Sequence, residues 1–563
     1  MGAAHAQTSP HTPDIGSGYT TPIGDYDYTV RVEEIPMRDG VTLHTVIVIP
    51  KGAKNAPIVL TRTPYSADVR SKRMDSTRMR DRLRQGDEIF VDAGYIRVTQ
   101  DVRGKYGSKG EYIMNRPLVG PLNNTKVDHS TDAYDSIDWL VKNLKESNGR
   151  VGIIGSSYPG FTTAMALVNP HPALKVASPQ SPMINNWMGD DWFHYGAFRP
   201  MKYLDFFVRQ TAQRGSGSAF IPRDGYDDYT NFLRAGSTGD YARAHGLQQL
   251  PFWRKIVENA AYTKFWEDQA LDGILAKQPL KVPTMWLQGL FDQEDIWGAI
   301  HSYEAIEPQD TTNTMNYLVM GPWRHGQVDY DGTTLGELTW NGDTAGEFRR
   351  DVLLPFFNQY LVDGAPKANT PPVLIYNTGK NRWDRHDKWP LSCGQGCAST
   401  SKPLYLGANG TLSFNAPKAS DPKFDAYVSD PAKPVPHQPR PISVTDREGW
   451  QTWLVRDQRF VDGRPDVLTF QTEPLSQAVR VGGVPVVNLM ASTTGSDSDW
   501  VVKLIDVYPD TVASFPQMGG YQFPIALDIF RGRYRTSFSD PQAIVSNHPA
   551  NYKFGLPTVN HVF

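Results

Sequence analysis

An alternation of short apolar runs with helical patterns restricts the fold more than any other feature of this sequence. Ile58–Thr61, Tyr95–Thr99, Val151–Ile154, Val176–Ser178, Thr284–Leu290 and Asn316–Met320 are strand-sized runs, and helical patterns such as Ala133–Leu144 and Phe161–Val168 lie between several of them. A run that is apolar at consecutive positions has no polar face to offer water, so it belongs in a sheet covered on both sides. The pattern predicts an α/β fold built on a parallel sheet. Before it, Tyr28–Ile35 and Val41–Ile49 flank an Arg38-Asp39-Gly40 turn and read as a hairpin.

The alternation is interrupted once and then ends. Residues 187–275 carry helical, aromatic-rich stretches such as Met201–Gln210 and Phe252–Ala260, which read as a helical cap inserted over the carboxyl ends of the strands. A helical layer without a functional role is the alternative. The α/β part is thus predicted in two pieces, 25–186 and 276–365. From 366 a Pro-rich link (Pro366, Pro371, Pro372) leads into strands without helices, among them Pro403–Gly407 and Thr411–Phe414 about an Asn409-Gly410 turn, Val467–Thr472, Val484–Ser492 and Trp500–Tyr508. Many short strands with turn signals predict a β-sandwich over 366–563. Residues 1–24 read as an extended arm.

Composition narrows the function. Hydrophobic residues are 39% and charged residues 21% of the 563, the balance of a chain that buries a core. Lys plus Arg number 57 against 60 Asp plus Glu, a net charge of −3, which gives no electrostatic grip on nucleic acid. No run approaches the roughly 20 apolar residues that cross a bilayer, so no membrane partner is expected. Only Cys393 and Cys397 occur. They can close a short disulfide loop or stay as free thiols, and two cysteines are too few for a zinc site. Ala4-His5-Ala6 before Gln7 has the small-x-small form of a signal-peptidase site, and with the scarcity of cysteine it predicts a periplasmic or secreted protein.

Chemistry enters at Arg150–Gly160. A strand passes through Gly155-Ser156-Ser157-Tyr158-Pro159-Gly160 into a helix at Phe161, the form of a nucleophile elbow, with Ser157 pushed into the open by a turn too tight for large neighbours. A merely structural turn is the alternative. A serine hydroxyl is a weak nucleophile, so it needs an imidazole to take its proton and an acid to orient that imidazole. Asp292 follows the strand Thr284–Leu290 and His325 follows Asn316–Met320, which puts both beyond the carboxyl ends of strands, on the sheet edge of Ser157 and in the order Ser, Asp, His. The oxyanion of the reaction needs fixed donors. The Tyr158 amide and Tyr65, in the loop after Ile58–Thr61, are the candidates; a packing role is the alternative for Tyr65.

Four segments carry a resemblance: Gly155–Gly160, Gly189-Asp190-Asp191-Trp192-Phe193-His194, Asp292-Gln293-Glu294-Asp295-Ile296-Trp297-Gly298, and Gly321–His325. From about Tyr26 onward the chain resembles the bacterial α-amino acid ester hydrolases, which belong with cocaine esterase and the X-Pro dipeptidyl peptidases. The resemblance implies an α/β-hydrolase domain, a helical cap and a jelly roll, with no cofactor or metal, acting through an acyl-enzyme on α-amino acid esters and β-lactam antibiotics, and assembled as a homo-oligomer. It implies Ser157, Asp292 and His325 as the triad and Tyr65 with the Tyr158 amide as the oxyanion hole. Asp191, Glu294 and Asp295 resemble that family's ammonium-binding carboxylates. These acids stay charged above pH ~4 and an α-amino ester stays protonated up to pH ~7–8, so the two attract between those limits and a bell-shaped pH profile is expected. The alternative is that the acids favour a helix N-terminus. The family's jelly roll runs through further strands past Asn560-His561-Val562-Phe563, so an incomplete sandwich with exposed apolar surface is expected. Rival readings are a dipeptidyl peptidase or plain carboxylesterase on the same scaffold, a dead hydrolase that binds ligands through its sandwich, and a metal site built on the acids.

Overall fold

The structure is a computed structural model that describes residues 18, 24–215, 221–390 and 402–563. The 1–24 arm, apart from Gly18 and Gly24, and the Cys393/Cys397 pair lie outside the described residues. Ten strands form one sheet. In chain order they are β1 (Tyr28–Pro36), β2 (Thr42–Pro50), β3 (Ala56–Thr63), β4 (Ile96–Asp101), β5 (Ser147–Ser157), β6 (Leu174–Pro182), β7 (Thr284–Gly289), β8 (Asn316–Gly321), β9 (Val373–Asn377) and β10 (Arg382–His386). Their order across the sheet is β1-β2-β4-β3-β5-β6-β7-β8-β9-β10. From β4 to β9 neighbours pair in parallel, and the antiparallel pairs lie at the two edges.

Burial on both faces explains the apolar runs. Ile58, Leu60, Val98, Val151 and Ile153 pack with Ile137 and Leu140 of helix α1 (His129–Asn143) on one face, while Val59, Val176, Leu287 and Val319 meet Phe356 and Phe357 on the other. An Asp128/Thr131 capping box starts α1. The parallel core therefore needs no polar face, as the sequence implied.

Helices α3 (Pro200–Thr211), α4 (Asp228–Ala235), α5 (Thr238–Ala244) and α6 (Pro251–Glu258) fill the interruption between β6 and β7, preceded by a small Phe193–His194/Ala197–Phe198 hairpin. One aromatic cluster joins this region to the elbow and to the C-terminal strands through Trp187, Trp192, Phe207, Phe252, Phe530 and Tyr534.

The C-terminal part is β-rich. Its antiparallel ribbons include β11 (Arg480–Gly483) with β16 (Val559–Val562), β12 (Val486–Ala491) with β15 (Ala550–Gly555), and β13 (Asp499–Val507) with β14 (Gln522–Arg531). Val486, Met490 and Val501 are exposed on these ribbons. One sequence expectation needs correction. The stretch 467–472 forms no strand, only a bridge from Gln471 to Thr411, because Pro465 and Pro474 flank it and remove ladder donors. Beyond the Pro-rich link, Val373–Asn377 is buried throughout and pairs with β8, so β9 and β10 extend the central sheet.

Candidate active site

The candidate nucleophile sits in strained backbone. Ser157 closes β5 at φ 68°, ψ −128° and caps α2 (Tyr158–Ala166). An L-residue in this region costs about 1–3 kcal/mol, held here by close packing of the turn. A Cβ on Gly155 would lie 2.7 Å from the Pro159 carbonyl oxygen, and one on Gly160 would lie 2.5 Å from the Gln180 carbonyl oxygen. Only glycine lets α2 approach β5 and β6 this closely. The Thr162 hydroxyl, donating to the Arg62 carbonyl at 2.9 Å, ties α2 to the end of β3.

β3, β5, β7 and β8 end on the same sheet edge, and each delivers one candidate residue at its last position or just beyond it. The loop after β7 places Asp292, 2% exposed, beside His325 from the loop after β8. His325 Nδ1 donates to Asp292 Oδ1 at 2.9 Å and lies 3.1 Å from Oδ2. The backbone amides of Glu294 and Asp295 also donate to Asp292 Oδ1, each at 2.9 Å, which fixes the carboxylate. The Tyr65 side chain lies beside Ser157. Burial first, then the Asp191 carboxylate, pushes the Tyr65 phenol above its usual range, so it remains a protonated donor. The Tyr65 ring meets the Tyr158 ring edge-on at 6.5 Å, and the Tyr158 hydroxyl accepts from the Asn115 amide at 3.0 Å. In this conformation no hydrogen bond joins Ser157 Oγ to His325. The His325 Nε2 lies 3.6 Å from Glu294 Oε2 instead.

The two acidic motifs meet through their backbones. The Asp191 amide donates to the Glu294 carbonyl at 2.9 Å, and Asp190 bridges Asp295. Asp191, Glu294 and Asp295 thereby gather around His325, with Asp295 Oδ2 3.9 Å from Nδ1. Both Asp295 side-chain oxygens are buried without a hydrogen-bond partner. Burial, then Glu294, raises the Asp191 pKa to about 8; burial and the neighbouring acids push Asp295 well up. For His325 burial works downward, but Asp292, Glu294 and Asp191 outweigh it and raise its pKa to about 10. Acids crowded and buried so that they resist ionisation, with two oxygens left unpaired on Asp295, would be stabilised by a cationic ligand.

The sequence matches the X-Pro dipeptidyl-peptidase (S15 family) profile over residues 39–327 and the X-Pro dipeptidyl-peptidase C-terminal non-catalytic domain over 366–563. The chain belongs to the S15 family. Among solved structures, this S15 chain is 66% identical to an α-amino acid ester hydrolase labelled with selenomethionine, with a TM-score of 0.95 over 99% of this chain and 90% of that one. It is 48% identical to an aminopeptidase from a marine sediment Thaumarchaeota archaeon, with a TM-score of 0.92 over the same shares. Cocaine esterase of Rhodococcus sp. (strain MB1 Bresler) is 25% identical over 96% of this chain and 89% of its own length. Among the described residues no helix is long and apolar enough to cross a membrane.

Around the candidate residues of this S15 chain stand others that the sequence motifs did not single out for a role. Asp190 accepts four backbone amides, from Ile184 (2.9 Å) and Asn185 (3.0 Å) on one oxygen and from Trp297 and Gly298 (2.9 Å each) on the other. It holds the segment after β6 against the start of α7 (Gly298–Ile306). From the C-terminal part, Trp450 Nε1 on α8 (Arg447–Thr452) donates to Glu294 Oε1 at 2.9 Å. Arg199 donates to the carbonyls of Gln293 and Glu294 and to His194 Nε2 at 2.9 Å, while His194 Nδ1 donates to Asp528 Oδ1 at 2.8 Å. Asp190 was legible beside Asp191. Trp450 and Asp528 carry no local signal, because their partners lie far away in the sequence.

Proposed function

We propose that this protein is a serine hydrolase that cleaves esters of α-amino acids through an acyl-enzyme. The observation that carries the reading is the carboxylate cluster of Asp191, Glu294 and Asp295 packed around the imidazole that Asp292 orients. The similar α-amino acid ester hydrolase structure supports it. Ser157 Oγ attacks the acyl carbon as its proton passes to His325 Nε2. The oxyanion is met by the Tyr65 hydroxyl and the Tyr158 amide, and the alcohol leaves with the proton from His325. Asp292 holds the Nδ1–H tautomer throughout. The carboxylates hold the α-ammonium beside the acyl centre. Water then releases the acid; an amine at the same step gives an amide.

The same acyl-enzyme accommodates β-lactam amides of α-amino acids, which are part of this reading. So are a homo-oligomeric assembly, carried by the family resemblance, and a periplasmic or secreted location, carried by Ala4-His5-Ala6. The test is turnover of phenylglycine methyl ester, with Ser157→Ala as the blank and an Ala-Pro p-nitroanilide as competitor. Rapid ester turnover that Ser157→Ala abolishes is expected. Faster release of p-nitroaniline than of methanol would favour the peptidase.

A further inference from the structure

We propose that Glu294 is the counter-ion of a protonated His325 in the free enzyme, and that the substrate's α-ammonium frees the imidazole to act as a base by taking Glu294 over. This rests on the triad reading above and deepens it. The two oxygens of the Glu294 carboxylate face different neighbours. Oε1 accepts from Trp450 Nε1 at 2.9 Å, which fixes the side chain. Oε2 lies 3.6 Å from His325 Nε2, the nitrogen that has to receive the Ser157 proton. Nδ1 is already committed to Asp292 at 2.9 Å. An imidazole with a carboxylate at each nitrogen is held as its cation, and no hydrogen bond links it to Ser157.

The charges around His325 come from four elements. The loop after β7 contributes Asp292, Glu294 and Asp295, and the segment after β6 contributes Asp191. On the cationic side, Arg324 precedes His325, while Arg199 binds the carbonyls of Gln293 and Glu294 and Lys202 lies within electrostatic range of Glu294. Asp292 at Nδ1 and Glu294 facing Nε2 outweigh burial and favour the protonated imidazole.

An ammonium entering among Asp191, Glu294 and Asp295 supplies the positive charge that the imidazolium provided. His325 then loses one proton to solvent, and Nε2 is free to accept the Ser157 hydroxyl proton as Oγ bonds to the acyl carbon. That proton leaves on the departing alcohol. An ester without the amine binds but leaves the base protonated, so discrimination appears in kcat as well as in KM.

The test is the rate at which an uncharged alkyl fluorophosphonate labels Ser157 between pH 5 and 10, followed by intact-mass spectrometry. This probe carries no amine and so reports the base in the free enzyme. The wild-type midpoint is expected above about pH 8, and Glu294→Gln should move it down by a unit or more, since one anion facing Nε2 is gone; each unit speeds labelling at pH 7 about tenfold. Methylammonium chloride, against potassium chloride at equal ionic strength, should accelerate labelling of the wild type and not of Glu294→Gln. If Glu294→Gln fails to fold, Asp191→Asn should shift the midpoint in the same direction. A midpoint unmoved by substitution, with no methylammonium effect, overturns the inference and leaves the triad standing. Folded wild type that is never labelled at Ser157 overturns both.

Discussion

Ser157, the candidate nucleophile, stores backbone strain at the turn between β5 and α2. At φ 68°, ψ −128° glycine is at ease and alanine is not. Ser157→Gly is therefore expected to be more stable than Ser157→Ala by about 1 kcal/mol or more, with both inactive; thermal unfolding of the pair checks it. Asp191 makes a second residue-scale test. Its carboxyl is raised to about 8 in the folded chain against the usual carboxylate value when unfolded. Its stabilising contribution is therefore complete below pH ~4, where both states are protonated, and is lost as pH rises towards 8. The melting temperature of Asp191→Asn should gain on that of the wild type across this range and level off above it. A constant difference would count against a buried, proton-holding cluster.

At the scale of elements, the site depends on how closely α2 approaches β5 and β6. Gly160→Ala places a methyl 2.5 Å from the Gln180 carbonyl oxygen and 3.0 Å from Pro182 Cα, both backbone atoms of β6. A backbone shift of the elbow is forced, with an expected loss of about 1–3 kcal/mol in denaturant unfolding and of most activity. The elements were the legible part of the sequence. Runs buried on both faces announce a parallel sheet, and the residues at the ends of β3, β5, β7 and β8 or just past them inherit a common edge from that topology alone. The site was legible where partners are close in sequence, as in Asp292–Asp295. The 467–472 stretch shows the converse: its β-forming residues are overridden by the flanking prolines and find only one bridge.

Across the whole molecule, the C-terminal part reaches into the site twice, although its family description calls it non-catalytic. Trp450 fixes Glu294, and Asp528 acts through His194 and Arg199 on the backbone of Gln293 and Glu294. Neither link was readable in the sequence, because a single tryptophan or aspartate in a β-rich region gives no pattern until the chain is folded. Trp450→Phe keeps the aromatic packing against Tyr203 and removes one donor from a carboxylate. Loss of a hydrogen bond to a charged group is worth about 1.5–3 kcal/mol, so kcat/KM for phenylglycine methyl ester is expected to fall about tenfold or more. Unchanged kinetics would make the link a packing contact only.

The central claim is that a serine nucleophile works beside an anionic trap for α-ammonium groups. Its most direct measurement is the ratio of kcat/KM for phenylglycine methyl ester to that for phenylacetic acid methyl ester, in the wild type and in Glu294→Gln. A buried charge pair lost on one side costs about 2–5 kcal/mol, so a wild-type preference of about 30-fold or more for the amino ester is expected, largely erased in the variant. Equal efficiency of the wild type on both esters would contradict it.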